Sequence, residues 1–111
     1  MLNFLNKKKI VPVVFLSGII GNIGGLRKGI TISSVEGLLE KAFKIKNSAS
    51  IAIIINSPGG SPVQSSLIYK RIKKLARAKK SKVIFFVEDV AASGGYYIAC
   101  AGNEIYADEN S

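Results

Sequence analysis

The chain has no histidine, a single cysteine, few acidic residues and no apolar run long enough to cross a bilayer. Each shortage removes a class of chemistry. Without histidine, no Ser-His-Asp triad can be assembled from this chain alone. One cysteine excludes an internal disulfide and a cysteine-built zinc site. Cys100 falls in an apolar helical context, where a small buried residue is expected rather than a nucleophile. A spanning helix needs about 18 consecutive apolar residues. Ile10–Leu16 is far shorter, and no signal-peptide cleavage pattern follows it. The shortage of acid leaves 16 Lys+Arg against 7 Asp+Glu and a net charge of +9. The lysines cluster at Lys7-Lys8-Lys9 and between Lys70 and Lys82. No aromatic-and-basic platform accompanies them, so they read as solvated faces, not as a nucleic-acid or anionic-membrane surface.

What is present suits one α/β domain or part of one. Hydrophobic residues make up 48% of 111, enough for a core and too many for a disordered chain. Ile10–Leu16 reads as a first strand, with Pro12 near its start where a missing N–H is tolerated. Ser17–Ile32 is rich in glycine but fits neither a Walker nor a dinucleotide fingerprint, and no cofactor is implied. Ser33 and Glu36 form a capping-box signal ahead of Val35, Leu38, Leu39, Ala42 and Phe43, which recur at helical spacing up to about Lys46. Ile51–Ile55 is apolar without alternation, as expected of a strand covered on both faces.

A second capping signal, Ser61-Pro62-Val63-Gln64, opens a long helix. Val63, Leu67, Ile68, Ile72, Leu75 and Ala76 form its apolar face, opposite Lys70, Arg71, Lys73, Lys74 and Arg77. Lys82–Val87 is a third strand, a helix runs roughly over Ser93–Ala101 with its positive dipole end at Ser93, and Gly102 stops it. A fourth strand begins at Glu104. Strand–helix–strand order implies parallel pairing through a right-handed crossover. Parallel strands end on one edge of the sheet, where open α/β folds bind ligands. Asn56-Ser57-Pro58-Gly59-Gly60 and Ala91-Ala92-Ser93-Gly94-Gly95 are therefore neighbours. A serine beside glycine amides that can face a ligand is the minimum equipment for acyl transfer.

Ile55-Asn56-Ser57-Pro58-Gly59-Gly60 together with Ala91-Ala92-Ser93-Gly94-Gly95-Tyr96-Tyr97-Ile98-Ala99 resembles the paired signature of the signal peptide peptidase A family. These are serine peptidases of the Clp protease/crotonase superfamily. The similarity runs from about Val11 to Asp108. It implies a ββα superhelix with a mainly parallel sheet, incomplete at the C-terminus. It also implies a Ser–Lys dyad that hydrolyses peptide bonds, including those of cleaved signal peptides in membranes. By that resemblance Ser93 matches the nucleophile, and Gly60 and Gly94 match the oxyanion-hole positions. Gly59 and Tyr96 fall where a substrate groove would pass, with peptides as the partner, and a full-length chain is expected to form homo-oligomers.

Two departures from the family qualify this reading. The family's base lysine lies several tens of residues after the nucleophile, whereas 18 residues follow Ser93 here. Lys82 is a poor substitute, since extended strand at about 3.3 Å per residue puts it roughly 20 Å away. Lys28, in the loop after the first strand, is the other lysine that could approach the active edge. The N-terminal membrane helix of many members is also missing. These features read as residues 1–9 forming a basic tail and 10–111 the N-terminal part of a peptidase domain. The general base is then absent, and the isolated chain is expected to turn over peptides negligibly. The expected compartment is the cytoplasm, with association to the inner membrane. Two other functions remain open: acyl-thioester binding of the crotonase type, and a catalytically dead interaction piece.

Overall fold

In the computed structural model, which describes residues 10–22, 24 and 29–111, strands and helices alternate strictly along the chain. They are β1 (Val13–Ser17), α1 (Ile32–Lys44), β2 (Ser50–Ser57), α2 (Pro62–Lys79), β3 (Lys82–Ala91), α3 (Gly94–Ala99) and β4 (Glu104–Ala107). The strands form one sheet in the order β1-β2-β3-β4, every pair parallel. Crossovers of one hand that all step in the same direction put their helices on one side of the sheet. Accordingly α1 packs on α2, and α2 on α3. The basic tail at 1–9 and Lys28 lie outside the described residues.

The core lies between that helical layer and the sheet. Val14, Leu16, Ile51, Ile53, Ile55, Val83 and Phe85 point into it from the strands, and Val35, Leu39, Phe43, Ile68, Ile72 and Ile98 from the helices. Fully burying each isoleucine here contributes about 1.5–3 kcal/mol. The other face of the sheet is covered far less. Phe15, Ile54, Phe86 and Tyr106 stand in one row across all four strands. Phe15 is 64%, Phe86 41% and Tyr106 52% exposed, with the last two rings stacked at 5.6 Å. The unbroken apolar run of β2 thus has helices over one face only.

Several expectations shift locally. Helix α1 is capped by Thr31, not Ser33. Thr31 Oγ1 accepts from Ser34 N at 3.1 Å, and Thr31 N donates to Ser34 Oγ at 3.0 Å. Ser61 caps α2 as expected, accepting from Gln64 N at 3.2 Å, but the Gln64 side chain does not return to Ser61. Its Oε1 instead accepts from Ile32 N at 2.8 Å and so ties the start of α1 to α2. The α2 stripe is rotated: Val63 and Leu67 are exposed, and Ser65 faces inward. Leu38 is likewise exposed on α1. Ser65 packs against Gly94 so closely that a Cβ on Gly94 would collide with Ser65 Oγ. Cys100 is exposed, contrary to expectation. It sits at the C-cap of α3, while Ile98, Ala99 and Ala101 turn into the core.

Candidate active site

At the carboxyl end of β2 the chain leaves the sheet through Pro58, Gly59 and Gly60. Gly59 takes φ +104° and Gly60 φ +147°, backbone conformations that favour glycine. The loop is fixed from both sides. Gly59 N donates to the fully buried Ser57 Oγ at 3.1 Å, and Gly59 O accepts from Ile20 N at 2.9 Å. Ser61 N then donates to Ile20 O at 2.8 Å, so Gly60 is clamped against Ile20. A Cβ on Gly60 would lie 2.1 Å from Ile20 O.

At the end of β3, Ala92 N donates to Ser57 O at 3.1 Å, and Gly95 N closes a turn onto Ala92 O at 2.9 Å. Ser93 is the second residue of that turn, with φ 52° and ψ −120°. These are the angles of the first central position of a type II′ turn, where glycine is preferred. A helix-capping serine has extended angles and bonds the first turn through its hydroxyl. Ser93 has neither feature: its angles differ, and its side chain makes no cap hydrogen bond. It is exposed, with its hydroxyl free for other chemistry. Helix α3 behind it has six residues, too few for the dipole reading to carry weight.

The two loops touch. A Cβ on Gly59 would lie 2.8 Å from Ser93 Cβ and 3.1 Å from Gly94 N. Ser93, Gly94 and Gly60 line one open cavity of about 390 Å³, together with Pro62, Ser65, Ser66 and Tyr97. Among the described residues, neither the Gly60 N–H nor the Gly94 N–H has an acceptor. The cavity therefore combines an exposed hydroxyl with unpaired backbone donors, the components that acyl transfer needs for attack and for charge stabilisation.

Of the two groove residues read from the sequence, Gly59 abuts the Ser93 turn, while Tyr96 is 56% exposed and outside the cavity lining. Tyr97 supplies the aromatic wall, its ring stacked on Tyr69 of α2 at 4.7 Å. Pro62, Ser65 and Ser66 complete the lining, and their place at the start of α2, just after Gly60, is the feature of the sequence that puts them there. Among the described residues, no lysine lines the cavity. Lys82 lies at the far end of β3 in an ion pair with Glu104. The hydrogen bond and charge of Glu104 hold the Lys82 ammonium above its usual range, the opposite of what a base requires. Among the described residues, no group of three or more His, Cys, Asp or Glu could hold a metal. Likewise, no helix among them is long and apolar enough to cross a membrane.

Known proteins resemble this chain in sequence and fold. Residues 75–111, a third of the chain, match the family model of Peptidase family S49. The Na(+)/H(+) antiporter NhaA of Brucella melitensis is 57% identical over 102 residues, covering 91% of this chain and 14% of the antiporter. The chloroplastic serine protease SPPA of Arabidopsis thaliana is 40% identical over 109 residues, covering 84% of this chain and 16% of that protease. Among solved structures, 1510-N, a membrane-bound stomatin-specific protease determined as a serine-to-alanine mutant, superposes with a TM-score of 0.65 at 25% identity. That match covers 91% of this chain and 44% of the solved one. The chain thus spans a minor part of each relative's length. The matched family segment contains the Ser93 turn and the fold agrees with that of a solved protease, so over the part it shares with them this chain is similar to the peptidases of family S49.

Proposed function

We propose that Ser93 is the nucleophile of a serine peptidase and that the amides of Gly60 and Gly94 form its oxyanion hole. The observation that carries this reading is the Ser93 turn. A serine held at positive φ, with no capping bond, lines the same cavity as Gly60 and Gly94, whose N–H groups are unpaired among the described residues. A peptide carbonyl carbon seated there is attacked by Ser93 Oγ. The carbonyl oxygen becomes an oxyanion that accepts from the two N–H groups. The Oγ proton passes to a general base and from it to the leaving amine as the C–N bond breaks. Water, deprotonated by the same base, then hydrolyses the acyl ester and regenerates the hydroxyl. The base is a lysine from outside the described residues, with its ammonium pKa lowered by burial. Peptides of signal-peptide or membrane-associated origin are the substrate class, and the working form is a homo-oligomer.

The antiporter relative does not bring transport to this chain. The shared segment holds the Ser93 turn, and its described residues form no helix able to span a bilayer.

The test is covalent. The native polypeptide that contains this sequence is treated with a fluorophosphonate, digested, and the peptide carrying Ser93 is weighed. One phosphonyl adduct at Ser93, absent in Ser93→Ala, is expected. An adduct that persists in Ser93→Ala overturns the reading. Saturable binding of an acyl thioester with no adduct at all would favour the crotonase-type alternative.

A further inference from the structure

Just before the serine turn, β3 falls out of step with β2. Ile55 pairs with Val87, but Ser57 pairs with Ala91, so Glu88, Asp89 and Val90 stand opposite the single residue Asn56. A bulge of this kind bends its strand and leaves ladder groups unpaired. Here one side chain gathers all three residues. Asn56 Oδ1 accepts from Val90 N at 3.3 Å, and Asn56 Nδ2 donates to Glu88 Oε1 at 3.3 Å and Asp89 Oδ2 at 3.4 Å. From the β1 side, Gly18 N donates to Asn56 O at 2.9 Å, which anchors the residue that does the gathering.

We propose that Asn56 is a positioning residue: by fixing the size of this bulge, it sets where the Ser93 turn meets Gly59 and Gly60. The inference rests on the nucleophile reading for its catalytic consequence, though not for its geometry. Pairing resumes at Ala91 and the Ala92 N–H reaches Ser57 O directly afterwards, so the bulge decides which residue arrives at the turn. A slip of one residue would bring the wrong side chain to the cavity. The tolerance is small, since a Cβ on Gly59 would already come within 2.8 Å of Ser93 Cβ. Ser93 makes no side-chain bond of its own to hold it there. An amide suits the task because it accepts from an N–H at one end and donates to carboxylates at the other. A carboxylate at 56 keeps the first function and reverses the second. The charged groups facing Asn56 are Glu88 and Asp89, while its register partner on β1, Ser17, is uncharged.

The experiment compares the wild-type polypeptide with Asn56→Ala, Asn56→Asp and the triple variant Asn56→Asp/Glu88→Gln/Asp89→Asn. Hydrogen exchange of the Val90 and Ala92 amides reports the geometry, and the rate of fluorophosphonate labelling at Ser93 reports its consequence. Asn56→Ala is expected to lower protection of Val90 and the labelling rate by about tenfold at every pH. Asn56→Asp loses as much at neutral pH, because its carboxylate faces Glu88 and Asp89 where the amide donated to them. The triple variant recovers at neutral pH, which a merely space-filling role would not produce. Wild-type labelling that is unchanged in both single variants overturns the positioning role and leaves the nucleophile intact. Val90 protection that follows this pattern in a protein whose wild type never labels supports the bulge geometry and overturns the nucleophile reading instead.

Discussion

Ser93 occupies a conformation in which a side chain is a liability. Non-glycine residues in such regions cost about 1–3 kcal/mol and persist where the surrounding structure over-determines them. Ser57, Gly59 and the Ala92–Gly95 turn do so here. Replacing Ser93 with glycine is therefore expected to raise the unfolding free energy by about 1 kcal/mol, as read from urea denaturation. Ser93→Ala keeps the Cβ and should stay within about 0.5 kcal/mol of the wild type. Equal stabilisation by alanine and glycine would show that the backbone is not the source. The serine itself was legible in the sequence, between paired alanines and paired glycines at a strand end. Its positive φ was not, because the same residues also fit a capping serine. What separates the two is the turn closed by Gly95 against a strand more than thirty residues away in sequence.

At the scale of elements, the helix starts were legible as a kind but not at their positions. Thr31-Ile32-Ser33-Ser34 offers three hydroxyls, and short-range pattern favoured the one followed by Glu36. The structure begins α1 earlier, because Gln64 on α2 accepts from Ile32 N and so fixes where the first turn forms. Gln64→Ala should cost about 1 kcal/mol by leaving that N–H without its partner. Gln64→Glu should cost less or nothing. It keeps an acceptor and puts negative charge at a first turn that has no acidic residue. Thermal melts of the two variants decide this, and a glutamate variant as unstable as alanine would remove Gln64 from that role. Arg71 ties the same two helices from outside, reaching Glu36 at 2.6 Å and Glu40 at 3.3 Å. These are solvent-accessible pairs of modest worth, consistent with the apolar interface carrying the packing.

For the whole molecule, pattern sufficed for the parallel sheet, since alternating strands and helices admit few other arrangements. It did not reveal the uneven covering of the sheet. A run such as Ile51–Ile55 looks the same whether one face or both are packed, and parallel sheets are almost always covered twice. The row Phe15, Ile54, Phe86 and Tyr106 should make the 111-residue chain bind a hydrophobic-surface dye such as ANS. Phe15→Thr and Phe86→Thr should reduce that fluorescence while changing stability by less than about 1 kcal/mol, because both rings are substantially exposed. Undiminished dye binding in the double variant would locate the apolar surface elsewhere. The strand order has a separate consequence, one of timing. Neighbours in the sheet are neighbours in the chain, joined through one helix at most. Among the described strands, each one after β1 therefore leaves the ribosome with a partner already made. The Ser93 turn, built from the end of β3 against the end of β2, can close before β4 has been translated.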